Sequence, residues 1–136
     1  MFVCLLCMES GEMVDHIFLH CPLSLRLWHK LFNLVHMDWV PPRSICDMII
    51  ISCRGLRNSN RGKVLWQFAC LALMWVVWRE RNARIFEGKV RTLEGLWDTI
   101  HFLASFWASC TTTFKGAPLN LIQLNWLLVS SSMGMG

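Results

Sequence analysis

Apolar residues recur at helical spacing along most of the chain. Leu27, Trp28, Leu31, Phe32 and Val35 fall on one stripe of a helix predicted from about residue 23 to 35, while Arg26, Lys30 and Asn33 fall on another. Pro22 suits the position where that helix begins, because its fixed φ is already helical and its missing N–H would have no partner there. Trp39-Val40-Pro41-Pro42 ends it, and Ser44 can cap a short helix through Ile51. The stretch Cys53–Lys63 is polar, basic and punctuated by Gly55 and Gly62, which reads as a linker. From Val64 a long helix should run to about Glu87, with Gly88 as its stop. A further helix is expected over residues 93–110, where Leu93, Leu96, Trp97, Ile100, Leu103, Ala104 and Trp107 follow the i, i+3, i+4, i+7 rule. The apolar segment 119–129 reads equally as helix or strand, and residues 130–136 are expected to be disordered.

This pattern predicts an all-α fold, a small helical array, with a Cys/His module at the N-terminus. The expected organisation is a zinc-binding module plus first helix over residues 1–40, then a short helix and basic linker over 41–63. A helical tail over 64–129 follows.

Composition sharpens one point. Hydrophobic residues make up 54% of the chain and charged ones 16%, against roughly 45–50% and 25% in ordinary soluble domains. Such a chain needs a partner, a membrane or further sequence to cover it. Val64–Trp78 is interrupted only by Gln67, but its fifteen residues fall short of the roughly 20 needed to span a bilayer. A buried helix is the better reading, with a membrane-associated peptide as an alternative.

Charge is unevenly placed. Residues 54–91 hold nine Lys/Arg against Glu80 and Glu87, a balance of +7 in a chain of +4, so the remainder carries −3. Any polyanion contact is therefore expected in this stretch, made by Arg54, Arg57, Arg61 and Lys63 in the loop and by Arg81 and Arg84 on the helix that follows. A solvated helix end would explain the same arginines, since cations near a helix C-terminus complement its dipole.

The densest chemistry lies at the start. Cys4-x2-Cys7-x8-His16-x4-Cys21 brings three thiols and one imidazole into 18 residues. Zinc prefers soft sulfur and imidazole nitrogen, and a Cys-x2-Cys turn lets both sulfurs reach one ion. His20 offers a rival Cys2His2 set with Cys4, Cys7 and His16, and spacing alone does not choose between His20 and Cys21. Four protein ligands close the shell, so such a zinc is structural and leaves no position for a reacting water. Residues 1–25 contain no Lys or Arg, while Glu9, Glu12 and Asp15 add negative charge. Phosphate would be repelled there, and the ion is expected to fold the segment while nucleic acid, if bound, is met elsewhere. With no basic residue ahead of the first apolar stretch and an odd count of seven cysteines, thiols in a reducing intracellular compartment are expected.

Cys4-x2-Cys7, then Glu12-x3-His16-Ile17-Phe18-x2-Cys21, then Ser24-x2-Leu27-Trp28, resembles the zinc-binding reverse transcriptase domain near the C-terminus of plant LINE-type retrotransposon proteins. Trp75-x2-Trp78-x2-Arg81-Asn82-x3-Phe86 is similar to the pattern that follows that domain. The resemblance covers roughly residues 1–90 and is specific only in combination. It implies an accessory module of a polyprotein with an upstream polymerase, and a fragment, because the family domain usually begins well before its first cysteine pair. Met13 stands where the family has a small hydroxyl residue. No adjacent Asp-Asp pair for two-metal polymerisation occurs in the chain, nor any tyrosine, phosphate loop or nucleophile elbow. A non-enzymatic accessory module with RNA or DNA as its partner is therefore the leading expectation. A structural or protein-interaction remnant is the alternative.

Overall fold

A computed structural model describes residues 4, 6–8, 13–34, 39–54, 60–119 and 122. Among the described residues the chain is all-α, with four α-helices: α1 (Pro22–Leu34), α2 (Ile45–Arg54), α3 (Asn60–Asn82) and α4 (Leu93–Ser109). Segment 119–129, apart from Leu119 and Ile122, lies outside these residues, as do 130–136 and 55–59.

Local chemistry marks the starts of α1, α2 and α4. At α1 the carbonyl of Cys21 accepts from Leu25 N at 2.8 Å, and Pro22 follows at the first helical position. At α2 the Ser44 hydroxyl accepts from Asp47 N at 3.2 Å, and the Asp15 carboxylate accepts from Ile45 N at 2.8 Å. Asp15 thereby ties the N-terminal module to a helix thirty residues away. At α4 the Thr92 hydroxyl accepts from Gly95 N at 3.0 Å.

The long helix α3 is the axis of the molecule, packing against α1, α2 and α4. It starts at Asn60, four residues before the expected Val64, and α2 runs on through Arg54, so both ends of the expected linker are helical. Gly62 is buried inside the helix. Leu65, Trp66, Ala69, Cys70, Ala72, Leu73, Val76 and Val77 are buried along α3 and meet Leu27, Trp28, Leu31 and Phe32 of α1 and Leu96, Ile100 and Ala104 of α4 in one core. Burial of each large apolar side chain among these contributes about 1.5–3 kcal/mol. After Asn82 the chain widens into a π-turn, Ala83–Glu87, and Gly88 closes it in the left-handed region at φ 64°. The chain then doubles back. Phe68 lies beside Trp107 at 6.2 Å between ring centroids, and Glu80 accepts from Arg91 N at 3.0 Å, which sets α3 and α4 antiparallel.

Candidate metal centre

The four predicted ligands converge. The Sγ atoms of Cys4, Cys7 and Cys21 and a ring nitrogen of His16 all lie within 4.8 Å of one another. Cys4 and Cys21 sulfurs are 4.0 Å apart, and the Cys7 sulfur is 3.3 Å from His16 Nε2. Zinc bound tetrahedrally at its usual bond lengths would set sulfurs about 3.8 Å apart and sulfur from nitrogen somewhat less. A disulfide would need about 2.05 Å, so the cysteines are separate thiols. The donor set thus fits a four-coordinate cation, and the Cys3His group could hold a metal ion.

Two turns make this geometry. Around the first pair, Met8 N donates to Cys4 O at 2.8 Å, and Met8 takes φ 60°, curling the chain so that Cys4 and Cys7 face one point. The second pair is joined by a π-turn, His16–His20, in which Cys21 N donates to His16 O at 2.7 Å. That i to i+5 closure brings the sixth residue of the turn back beside the first, which is how a spacing of four intervening residues yields two ligands for one ion.

α1 pins the π-turn from below. The Ser24 hydroxyl donates to Ile17 O, and Trp28 Nε1 donates to Phe18 O at 2.8 Å. Both carbonyls are therefore satisfied in a buried place where an unpaired one would cost about 1–3 kcal/mol. Ile17 and Leu19 of the same turn point into the core.

His20 is used elsewhere: its Nε2 lies 2.9 Å from the carbonyl of Pro42. Of the two alternatives, Cys21 has its donor atom inside the cluster, and that residue is fully buried. Burial above all pushes the Cys21 thiol up to about 12, with the Cys4 and Cys7 sulfurs adding to the rise and a backbone hydrogen bond at Leu23 opposing it. A cation at the centre would reverse that preference and hold the thiolate.

Of the predicted nucleic-acid residues, the side chains of Lys63, Arg81 and Arg84 are described. Arg84 is engaged inward, its Nε on Glu80 Oε2 at 2.8 Å and its Nη1 on Leu6 O at 3.0 Å. Arg81 lies over the Trp78 ring, 4.9 Å from its centroid. Lys63 is exposed on the first turns of α3. Arg57 and the side chains of Arg54 and Arg61 lie outside the described residues, as do Glu9 and Glu12.

Sequence reasoning passed over the outer face of α3. Trp75 is 47% exposed and Trp78 38%, and Phe18 from the metal turn stacks on Trp78 at 6.0 Å. The i, i+3 spacing of the two tryptophans was the available signal.

In comparisons with known proteins, no family model, no curated protein and no solved structure matches the chain. Among the described residues no helix is long and apolar enough to cross a membrane.

Proposed function

We propose that this chain is a non-catalytic zinc-folded module, of the kind that accompanies the reverse transcriptase of plant LINE-type retrotransposons, and that it serves nucleic-acid handling by an upstream polymerase. The observation that carries the zinc reading is the convergence of Cys4, Cys7, His16 and Cys21 within 4.8 Å. Three sulfurs and one imidazole are a donor set suited to zinc over the harder magnesium or calcium. All four positions of the shell are protein ligands, so the ion's work is folding.

Support for the retrotransposon reading comes from how its two motif halves meet in space. Ser24 and Trp28 of the first half hold the carbonyls of Ile17 and Phe18. Phe18 stacks on Trp78 of the second half, Arg81 lies over Trp78, and Arg81 donates to the Asn82 side-chain oxygen at 2.9 Å. Residues that look unrelated along the chain thus build one contact, the expected behaviour of a motif that travels as a unit.

Metal analysis of the purified protein tests the site. One zinc per chain is expected, retained in His20→Ala and lost or strongly weakened in Cys7→Ser and Cys21→Ser. Loss of zinc in His20→Ala alone would overturn the ligand assignment. A reverse transcriptase reading frame directly upstream in the genome is the matching expectation for the polyprotein reading.

A further inference from the structure

The four donor residues of the candidate metal centre are not equally reachable. Cys4 and Cys21 are fully buried, whereas Cys7 is half-buried and is followed by Met8, which is 66% exposed. A small solute arriving from water therefore meets Cys7 first. The Cys7 sulfur has both buried sulfurs within 4.8 Å. Two further cysteines, Cys46 on α2 and Cys110 at the end of α4, are exposed but lie outside the group.

Oxidation of a cysteine by a peroxide needs a thiolate that the oxidant can reach, and it stays reversible when a second thiolate stands close enough to displace the oxygen. Metal binding meets the first condition, because ligand sulfurs are deprotonated. Three thiolates and a neutral imidazole around a divalent ion also leave a net negative charge, and residues 1–25 contain no Lys or Arg to offset it. Arg84, which reaches this turn, is bound to Leu6 O and Glu80. Electron density therefore stays on sulfur. Cys4 and Cys21 meet the second condition.

We propose that Cys7 is the point at which hydrogen peroxide oxidises this centre, and that a buried neighbour, Cys4 or Cys21, completes a disulfide that releases the metal. The proposal rests on the zinc reading given above. The Cys7 thiolate attacks one peroxide oxygen: an S–O bond forms, the O–O bond breaks, and the departing hydroxide takes a proton from solvent to become water. The neighbouring thiolate then attacks the Cys7 sulfur. An S–S bond forms, the S–O bond breaks, and a second hydroxide leaves and is protonated. Two sulfurs thus give up two electrons, one peroxide becomes two waters with two protons drawn from solvent, and two of the four metal donors are withdrawn.

The fold gives that loss a wider reach. Cys21 closes the π-turn whose Phe18 stacks on Trp78 of α3, and Cys4 and Cys7 flank Leu6, whose carbonyl accepts from Arg84. Oxidation at Cys7 therefore acts on the seam between the N-terminal module and α3.

The test uses the zinc-loaded full chain, hydrogen peroxide in rising amounts, a colorimetric zinc indicator and mass-spectrometric mapping of the cysteines after alkylation. About one zinc per chain should appear as Cys7 is lost from the alkylatable pool, with the first disulfide joining Cys7 to Cys4 or Cys21. Dithiothreitol with added zinc should restore the thiols and the bound ion, since a disulfide is reversible where a sulfinate is not. Cys46→Ser with Cys110→Ser, which removes the two exposed thiols, should leave the rate of release within about threefold of the parent. The proposal is overturned if zinc stays bound while Cys46 and Cys110 are oxidised, if the first disulfide omits Cys7, or if dithiothreitol with zinc restores nothing. It is equally overturned if the double variant slows release more than about threefold, which would route oxidation through a surface thiol. Zinc content before oxidation separates the two readings: a chain that binds zinc and keeps it under peroxide defeats this proposal alone, whereas a chain that takes up no zinc defeats the zinc reading and this proposal with it.

Discussion

The Arg84 guanidinium donates to the carbonyl of Leu6 at 3.0 Å, joining two residues 78 positions apart. Leu6 lies between the candidate ligands Cys4 and Cys7, so the first cysteine turn is braced against the π-turn that follows α3. The same guanidinium pairs with Glu80, which is 2% exposed and also accepts from Arg91 N. One side chain thus connects the metal turn, the long helix and the start of the α3–α4 return.

Replacing Arg84 should therefore be costly. Arg84→Met leaves Glu80 buried with only the Arg91 N–H of these partners and Leu6 O without its donor, and a loss of about 3 kcal/mol in urea unfolding is expected. Adding Glu80→Gln to Arg84→Met should restore part of it, since the unpaired charge is then gone. A single variant within about 0.5 kcal/mol of the parent would mean that the brace carries no stability.

The pH dependence should change sign with metal. In the metal-free protein the Cys21 thiol is pushed up to about 12 from an ordinary value of 9.0, chiefly by burial. Above pH 9 the unfolded chain sheds this proton while the folded chain keeps it, so metal-free stability should fall as pH rises from 9 toward 12. The slope from this group is at most about 1.4 kcal/mol per pH unit. With zinc bound the thiolate is the folded form, and acid displaces the ion, so the loaded protein should lose stability as pH falls. Thermal melts across pH with and without chelator check both limbs.

Two positions in the left-handed region should respond oppositely to substitution. Gly88 sits at φ 64° with open space where a Cβ would stand, so Gly88→Ala meets no clash and costs only its backbone strain, about 1 kcal/mol. Met8 already bears that strain at φ 60° with its side chain exposed, and Met8→Gly should be neutral or raise stability by up to about 1 kcal/mol. Urea midpoints of the two variants give the comparison.

Thr92→Ala should cost about 1 kcal/mol, because Gly95 N loses the hydroxyl that caps α4. Thr92→Ser, which keeps the acceptor, should recover most of it, and thermal melts of the two variants give the check.

The helices were legible where one stripe is apolar and the other is not, as in Leu27–Phe32 of α1 and Leu96–Ala104 of α4. They were less legible in α3. Gly62 and its basic neighbours have the composition of a loop, yet Gly62 is buried in helix, so tertiary packing outweighed local propensity. The run Val64–Trp78 is apolar all round, and a pattern without a polar face cannot say which tryptophans are covered. Hence Trp66 is buried while Trp75 and Trp78 face outward. At the candidate metal centre, the group of Cys4, Cys7, His16 and Cys21 was readable from residue types and spacing, because metal-ligand chemistry restricts both. That Cys21 and not His20 lies in this group was not readable from spacing, since His20 is placed beside the carbonyl of Pro42, 22 residues away. The Arg84–Glu80 pair could have been anticipated from its i, i+4 spacing, but its reach to Leu6 belongs to the tertiary fold alone.

The π-turn between His16 and Cys21 sets a limit on how this stretch can vary in length. Each residue of a helical turn rotates its successors by about 100°, and here the i+5 closure aligns the imidazole with the sulfur. Removing one residue of Ile17–His20 would leave an i, i+4 pair, which an ordinary α-helical turn still sets on one face. Adding one would give i, i+6 and swing the Cys21 sulfur away from the other three donor atoms. Single-residue insertions there should therefore be more damaging than deletions, whereas substitutions at the half-buried Phe18 that keep a ring should be accommodated.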